Sequence, residues 1–308
     1  MRSIIALLIA GMVCATAPVR AETEASGNLR YSISVTEFDN QSGWSGRWHI
    51  GHAWGAVLTE ALQQSGHFIV LGEGDMRQAA MREQDLGASG RTAGGRMTPQ
   101  VGRMTPAQLL VKGAITHVQH STTGGSGGIG FRGVRIGGSG DRAEINATVY
   151  IVDAATGQVK ASTRVEGRAG RRGLRVGYSG GALGGLTGDL AGFQNDNLGK
   201  ATEDAVMQAV DFLVEQLPTI PWTATVMAVN GNRVTINRGT REGIETGQEF
   251  VAGKATELVD PDTGEVLDVE MNTVATLRVT EVRERISYCE PVTGAGAVET
   301  GMTLMLPR

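Results

Sequence analysis

Two glycine-rich blocks constrain this chain's fold more than any other feature: "GGSGGIGFRGVRIGGSG" at 124–140 and a second run at 167–192. Each follows a segment of clear strand character, so each leaves a sheet. Of 308 residues, 45 are glycine, about twice the usual share of roughly 7%. Apolar Ile129, Phe131, Val134 and Ile136 are spaced through the first block. A loose linker, a phosphate-cradling loop and a hairpin built to enter a membrane are the three readings to separate.

The first 21 residues read as a signal peptide: Arg2 is the basic start, Ile4 to Val13 the short apolar run, and Val19-Arg20-Ala21 the cleavage site. Cys14 follows Val13, where lipid-attaching processing favours a small residue. Removing this segment takes the net charge from −4 to −6 and leaves Cys289 as the only thiol, so no internal disulfide is expected.

Two domains are expected, at 22–217 and 218–308. In the first, "YSISVTEF" from Tyr31 to Phe38 alternates like a strand, and "DNQSGWSGRWHIGH" reads as a loop holding Trp44 and Trp48. Trp54, Val57, Leu58, Ala61 and Leu62 recur at helical spacing, with Ser65-Gly66 as the stop. "HFIVLG" reads as a short buried strand. Asp75 with Gln78 resembles a capping box opening a helix from Met76 to Leu86. A loop at 87–105 follows, in which "GRMTP" occurs twice. "QLLVKGAITHVQH" is a strand, and Ala143, Ile145, Ala147, Val149 and Ile151 mark one face of another. Asp153 and Gly157 form its turn, and Val159 to Val165 returns. A helix with Val206, Val210, Leu213 and Leu217 on one face ends at Pro218 and Pro221. Beyond it, short β segments with turns at Asn230-Gly231 and "DPDTGEV" predict a small barrel or sandwich.

Enzyme motifs occur but lack their structural setting. Gly128, Gly130 and Gly133 match a dinucleotide fingerprint, yet Val134-Arg135-Ile136-Gly137-Gly138 cannot open the helix it needs. "GYSGG" and "GGSGG" lack the strand and helix of a nucleophile elbow. His117 and His120 fall on opposite faces of a strand. His49 and His52 have no further ligands beside them, and Asp260 and Asp262 are explained by their turn. No catalytic residue, cofactor or metal is expected. Lys160, Arg164, Arg168, Arg171, Arg172 and Arg175 form a basic cluster without stacking aromatics. That excludes a nucleic-acid surface and leaves a solvated face or contact with anionic lipid.

The order of "YSISVTEFDNQSG", "AWGAVLTEALQQSGHFIVL", "LLVKGAITHVQHSTTGG", "INATVYIVDAATGQVKAST" and a closing helix resembles the CsgG/HfaB family over residues 30–217. The resemblance implies an α+β, anticodon-binding-domain-like periplasmic domain with two glycine-rich hairpin inserts near 119–143 and 165–194, and the C-terminal small β-barrel read above is an addition to it. "VTINRGTREGIETGQEFVA" makes that last unit similar to FlgT-like small barrels. It further implies a ring-like homo-oligomer in the outer membrane, or facing it from the periplasm. This ring would contact lipid and export surface-fibre subunits, or work with accessory assembly proteins. In the second block Leu174, Val176, Tyr178, Ala182 and Leu186 share one parity, with Arg175, Ser179 and Thr187 on the other, the pattern of a membrane barrel strand. In the first block Arg132 and Arg135 have opposite parity, so a straight strand puts one into lipid at about 2–4 kcal/mol. A bulge at Gly133 would relieve that. Trp44 and Trp48 lie where the family narrows its pore and are the constriction candidates. The alternative is a soluble periplasmic scaffold or activator, FlgT-like or LpoB-like, without a pore.

Overall fold

A computed structural model describes residues 28–46, 49–121, 142–169, 197–262, 264 and 266–307. The chain is mixed α+β: a mixed sheet carrying helices, followed by a closed barrel of antiparallel strands.

The sheet runs β3-β1-β4-β5-β6, with β2 paired to β4 beside that path. Its members are β1 (Tyr31–Val35), β2 (Asp39–Asn40), β3 (Phe68–Val70), β4 (Leu109–Ser121), β5 (Arg142–Asp153) and β6 (Val159–Arg168). Strands β1 and β4 pair in parallel, as do β1 and β3, while β4, β5 and β6 are antiparallel. The β5 alternation is realised: Ala143, Ile145, Ala147, Val149 and Ile151 are all buried. Helices α1 (Ile50–Ser65) and α3 (Asn197–Gln216) pack against each other and on the sheet. Gly66 takes φ +70 and stops α1 as expected. The expected face of α3 is buried through Val206, Val210 and Leu213, while Leu217 begins a 3-10 turn containing Pro218.

The expected strand from Tyr31 to Phe38 ends at Val35, and its alternation does not mark a solvent face. All five residues of β1 are buried. Ser32 and Ser34 satisfy their hydroxyls inside by donating to the carbonyls of Pro106 (2.8 Å) and Gly72 (3.2 Å). The start of the expected loop is instead β2. Helix α2 (Gly74–Ala88) begins earlier than predicted, with Glu73 as its N-cap and no side-chain capping bond. The Asp75 carboxylate accepts from the adjacent Met76 amide (2.7 Å), so the predicted capping box is not formed. No residue of α2 is buried.

The turn after β5 follows the prediction. Asp153 accepts from the amides of Ala155 (2.8 Å) and Thr156 (3.2 Å), and Gly157 has φ +73.

The barrel closes in the order β10-β11-β8-β7-β12-β9. Its strands are β7 (Thr223–Asn230), β8 (Arg233–Ile236), β9 (Glu249–Val259), β10 (Val266–Val282), β11 (Ser287–Thr293) and β12 (Thr303–Met305). Trp222 stacks on Phe250 with ring centroids 5.1 Å apart. The β7–β8 turn is shifted by one residue from prediction. Asn230 pairs with Arg233, leaving Gly231 and Asn232 as the loop. Sheet and barrel meet where the Tyr31 hydroxyl donates to the Ile220 carbonyl (2.6 Å) and the Arg30 amide donates to the Glu242 carbonyl (2.9 Å). Gly243, at φ +80, is required there because a Cβ would overlap the Asn28 carbonyl.

Candidate functional site: a cleft under the tryptophan loop and a shared exit from the sheet

The cleft is built around Phe38. Its ring lies against Trp54 of α1, centroids 4.5 Å apart, and is buried. Two glycines make this possible. A Cβ on Gly113 of β4 would overlap the Phe38 ring, and one on Gly51 of α1 would overlap the Phe38 carbonyl. The chain can therefore pass between sheet and helix and continue into β2, where Asp39 and Asn40 pair with Ala114 and Ile115.

Asn40 then organises the following loop. Its side-chain oxygen accepts from the Ser42 amide (3.2 Å) and hydroxyl (2.7 Å), and its NH2 donates to the Trp44 carbonyl (2.8 Å). The Ser42 hydroxyl accepts from the Trp44 amide (3.2 Å), and Gly43 turns with φ +70. Trp44 is thereby fixed, half-buried, against the hydrophobic core. The cleft beneath has a volume of about 650 Å³. Its charged lining is Glu37, Asp39 and Lys112, with His49 at the start of α1. Among the described residues no group of His, Cys, Asp and Glu is placed to hold a metal. His117 is exposed on β4 and does not line the cleft that holds His49.

The second feature is the end of the sheet. Ser121, the last residue of β4, pairs with Arg142, the first of β5. At the same end Arg168 closes β6 opposite Glu144. The start of helix α3 packs here too, so closely that a Cβ on Gly167 would overlap the Ala201 carbonyl. The edge amides of β6 are capped by α3: Glu166 donates to Gln208 (3.2 Å) and Arg168 to Asp204 (3.1 Å). The segments 122–141 and 170–196, which hold the first glycine block and most of the second, therefore both begin at one end of one sheet.

Of the predicted site residues, Trp44 lines the cleft. Trp48 lies outside the described residues, as do Ile129, Phe131, Val134, Ile136, Leu174, Val176, Tyr178, Ala182 and Leu186. Sequence reasoning missed Asn40, Gly51 and Gly113. Asn40 carried a weak signal as an Asn before Ser and Gly; the glycines carried none, because their partner Phe38 is distant from Gly113 in sequence. No helix among the described residues is long and apolar enough to cross a membrane, which says nothing of crossing by strands.

Residues 16–248 match the family model described as CsgG, curli production assembly/transport component. No curated protein matches the chain. Solved structures similar to it include a PelC dodecamer from Paraburkholderia phytofirmans, at 10% identity and TM-score 0.31 over 59% of this chain and 86% of that one. A hypothetical protein, CT253, of Chlamydia trachomatis matches at 10% identity and TM-score 0.34 over 60% and 96%. Lipoprotein GNA1162 of Neisseria meningitidis matches at 16% identity and TM-score 0.26 over 62% and 99%.

Proposed function

We propose a function from one premise: the chain belongs to the CsgG family, described as curli production assembly/transport components. It is a non-enzymatic component of curli-like or other surface-polymer assembly and transport, acting as a homo-oligomeric secretion channel in the outer membrane. The observation that carries this reading is the common exit of both glycine blocks from one end of the sheet.

A membrane strand needs about 9–11 residues. The 20 residues of 122–141 and the 27 of 170–196 each suffice for two strands and a turn. One hairpin alone would leave backbone N–H and C=O groups unsatisfied in lipid, so neighbouring copies must close the barrel. A ring is thus the physical requirement of insertion. In that ring Leu174, Val176, Tyr178, Ala182 and Leu186 face lipid, and the first block contributes Ile129, Phe131, Val134 and Ile136. The loop carrying Trp44 and Trp48 narrows the path on the periplasmic side, with the Asn40 turn holding Trp44 in place. The exported subunit passes as an extended chain, without covalent chemistry or cofactor.

A soluble periplasmic scaffold or activator is the second reading. It is favoured by the opposite parity of Arg132 and Arg135. Val176→Arg separates the two, because a lipid-facing arginine at mid-bilayer costs about 2–4 kcal/mol. For a channel, the variant leaves the membrane fraction while keeping its melting transition. For a scaffold, fractionation of the variant is unchanged.

A further inference from the structure

Exposed apolar side chains are distributed unevenly. Thirteen large hydrophobic residues are exposed among those described, and ten fall in two places. One is α2 with its following loop: Met76, Met81, Leu86, Met97 and Val101. The other is the outer part of the β9–β10 hairpin: Leu258, Val259, Val266, Leu267 and Val269. Met97 is 94% exposed and Leu267 60%.

The hairpin is an arm outside the barrel. Strand β12 pairs with β9 no further than Gly253, and β11 pairs with β10 no further than Thr276. From Thr256 outward, β9 and β10 pair only with each other. Two strands without a third, or a packed face, are marginal in water, so the exposed arm calls for a partner.

The two places carry opposite charge. Residues 254–273 hold six acidic side chains against one lysine; α2 carries Asp75, Glu83 and Asp85 beside Arg77 and Arg82, and 89–108 add three arginines and no acid, so 74–108 is net positive by two. Arg91, Arg96 and Arg103 make no ion pair among the described residues, nor do Glu257, Asp268 and Glu270. The duplicated "GRMTP" supplies the loop's pattern, since each copy sets an arginine beside a methionine, Arg96-Met97 and Arg103-Met104.

We infer that the acidic, apolar arm of one copy docks on α2 and the Arg-Met loop of a second copy. Carboxylates of the arm meet guanidinium groups in charge-assisted pairs, and the adaptable methionines cover the valines and leucines of the tip. The two surfaces differ, so the contact is heterologous and repeats from copy to copy, closing a ring or continuing as a filament. This specifies the contact of the homo-oligomer proposed above and rests on that reading. It uses a hairpin beyond residue 248, outside the family match.

The test uses the full chain and sedimentation velocity. One variant reverses the arm (Glu257→Lys, Asp268→Lys, Glu270→Lys) and another the loop (Arg91→Glu, Arg96→Glu, Arg103→Glu). Each alone is expected to sediment as a single copy while melting like the wild type. Mixing the two is expected to restore assembly. A photocrosslinker on Leu267→Cys, which leaves the charges intact, is expected to label residues 91–104 of another copy. Unchanged assembly in both reversed variants, no restoration on mixing, or labelling elsewhere overturns the inference. Assembly through this contact by a protein that washes off membranes sinks the channel and keeps the interface. A membrane-held protein whose assembly ignores both reversals does the opposite.

Discussion

The β4–β5 and β9–β10 hairpins are both long antiparallel ribbons, yet they behave oppositely. One lies under helices and buries one residue in two along β5; the other leaves its barrel and exposes nearly every residue of its outer half. Strand length is therefore not evidence of packing. A covered face imposes a period of two on the sequence, while a bare ribbon is released from that constraint and becomes available for surface function.

Substitutions should widen this contrast. The largest effect is expected from charge in the covered ribbon: Val149→Asp, at a fully buried site, should cost more than about 4 kcal/mol and prevent folding. In the single-copy Arg91→Glu, Arg96→Glu, Arg103→Glu background, Leu258→Asp on the bare arm should change stability by no more than about 0.5 kcal/mol. Urea denaturation of both variants checks the pair. A severe loss in the arm would show that it packs within its own chain.

The glycines sharpen the comparison at smaller scale. Gly167→Ala forces a methyl group into the Ala201 carbonyl, with an expected loss of about 3 kcal/mol from overpacking. Gly264→Ala, at φ +74 with open space around it, should lose only about 1–2 kcal/mol through left-handed backbone strain. Thermal melts of the two variants give the order.

A last effect is confined to alkaline pH. Burial pushes the Cys289 thiol in the barrel and the Tyr31 hydroxyl in the sheet each up to about 12. Below the unfolded values, roughly 8.5 and 10, their contribution to stability is complete. Above them the unfolded chain ionises first, so stability falls as pH rises toward 12. Cys289→Ala should flatten the first part of this alkaline slope and Tyr31→Phe the second, measured by denaturation from pH 8 to 11.

What could be read from the sequence follows from the same contrast. The β5 face, the α1 face with its Gly66 stop and the Asp153 turn were legible because their causes are local. Strand β1 misled, because Ser32 and Ser34 resemble solvent-facing positions until Pro106 and Gly72 are brought to them. Helix α2 misled at its start, since the Asp75 carboxylate turns to its neighbouring amide. At the candidate site Trp44 was visible as an aromatic in a loop. The Asn40 turn and the close approaches at Gly51 and Gly113 depend on where Phe38 packs, which no local pattern records. The arm escaped notice because a strand that buries neither face carries no period.

The most direct test of the central claim is extraction of the wild-type protein from isolated outer membranes with urea at alkaline pH. Inserted hairpins predict that it stays with the membrane until detergent is added. Release into the wash, or recovery in the soluble periplasm, would contradict the channel.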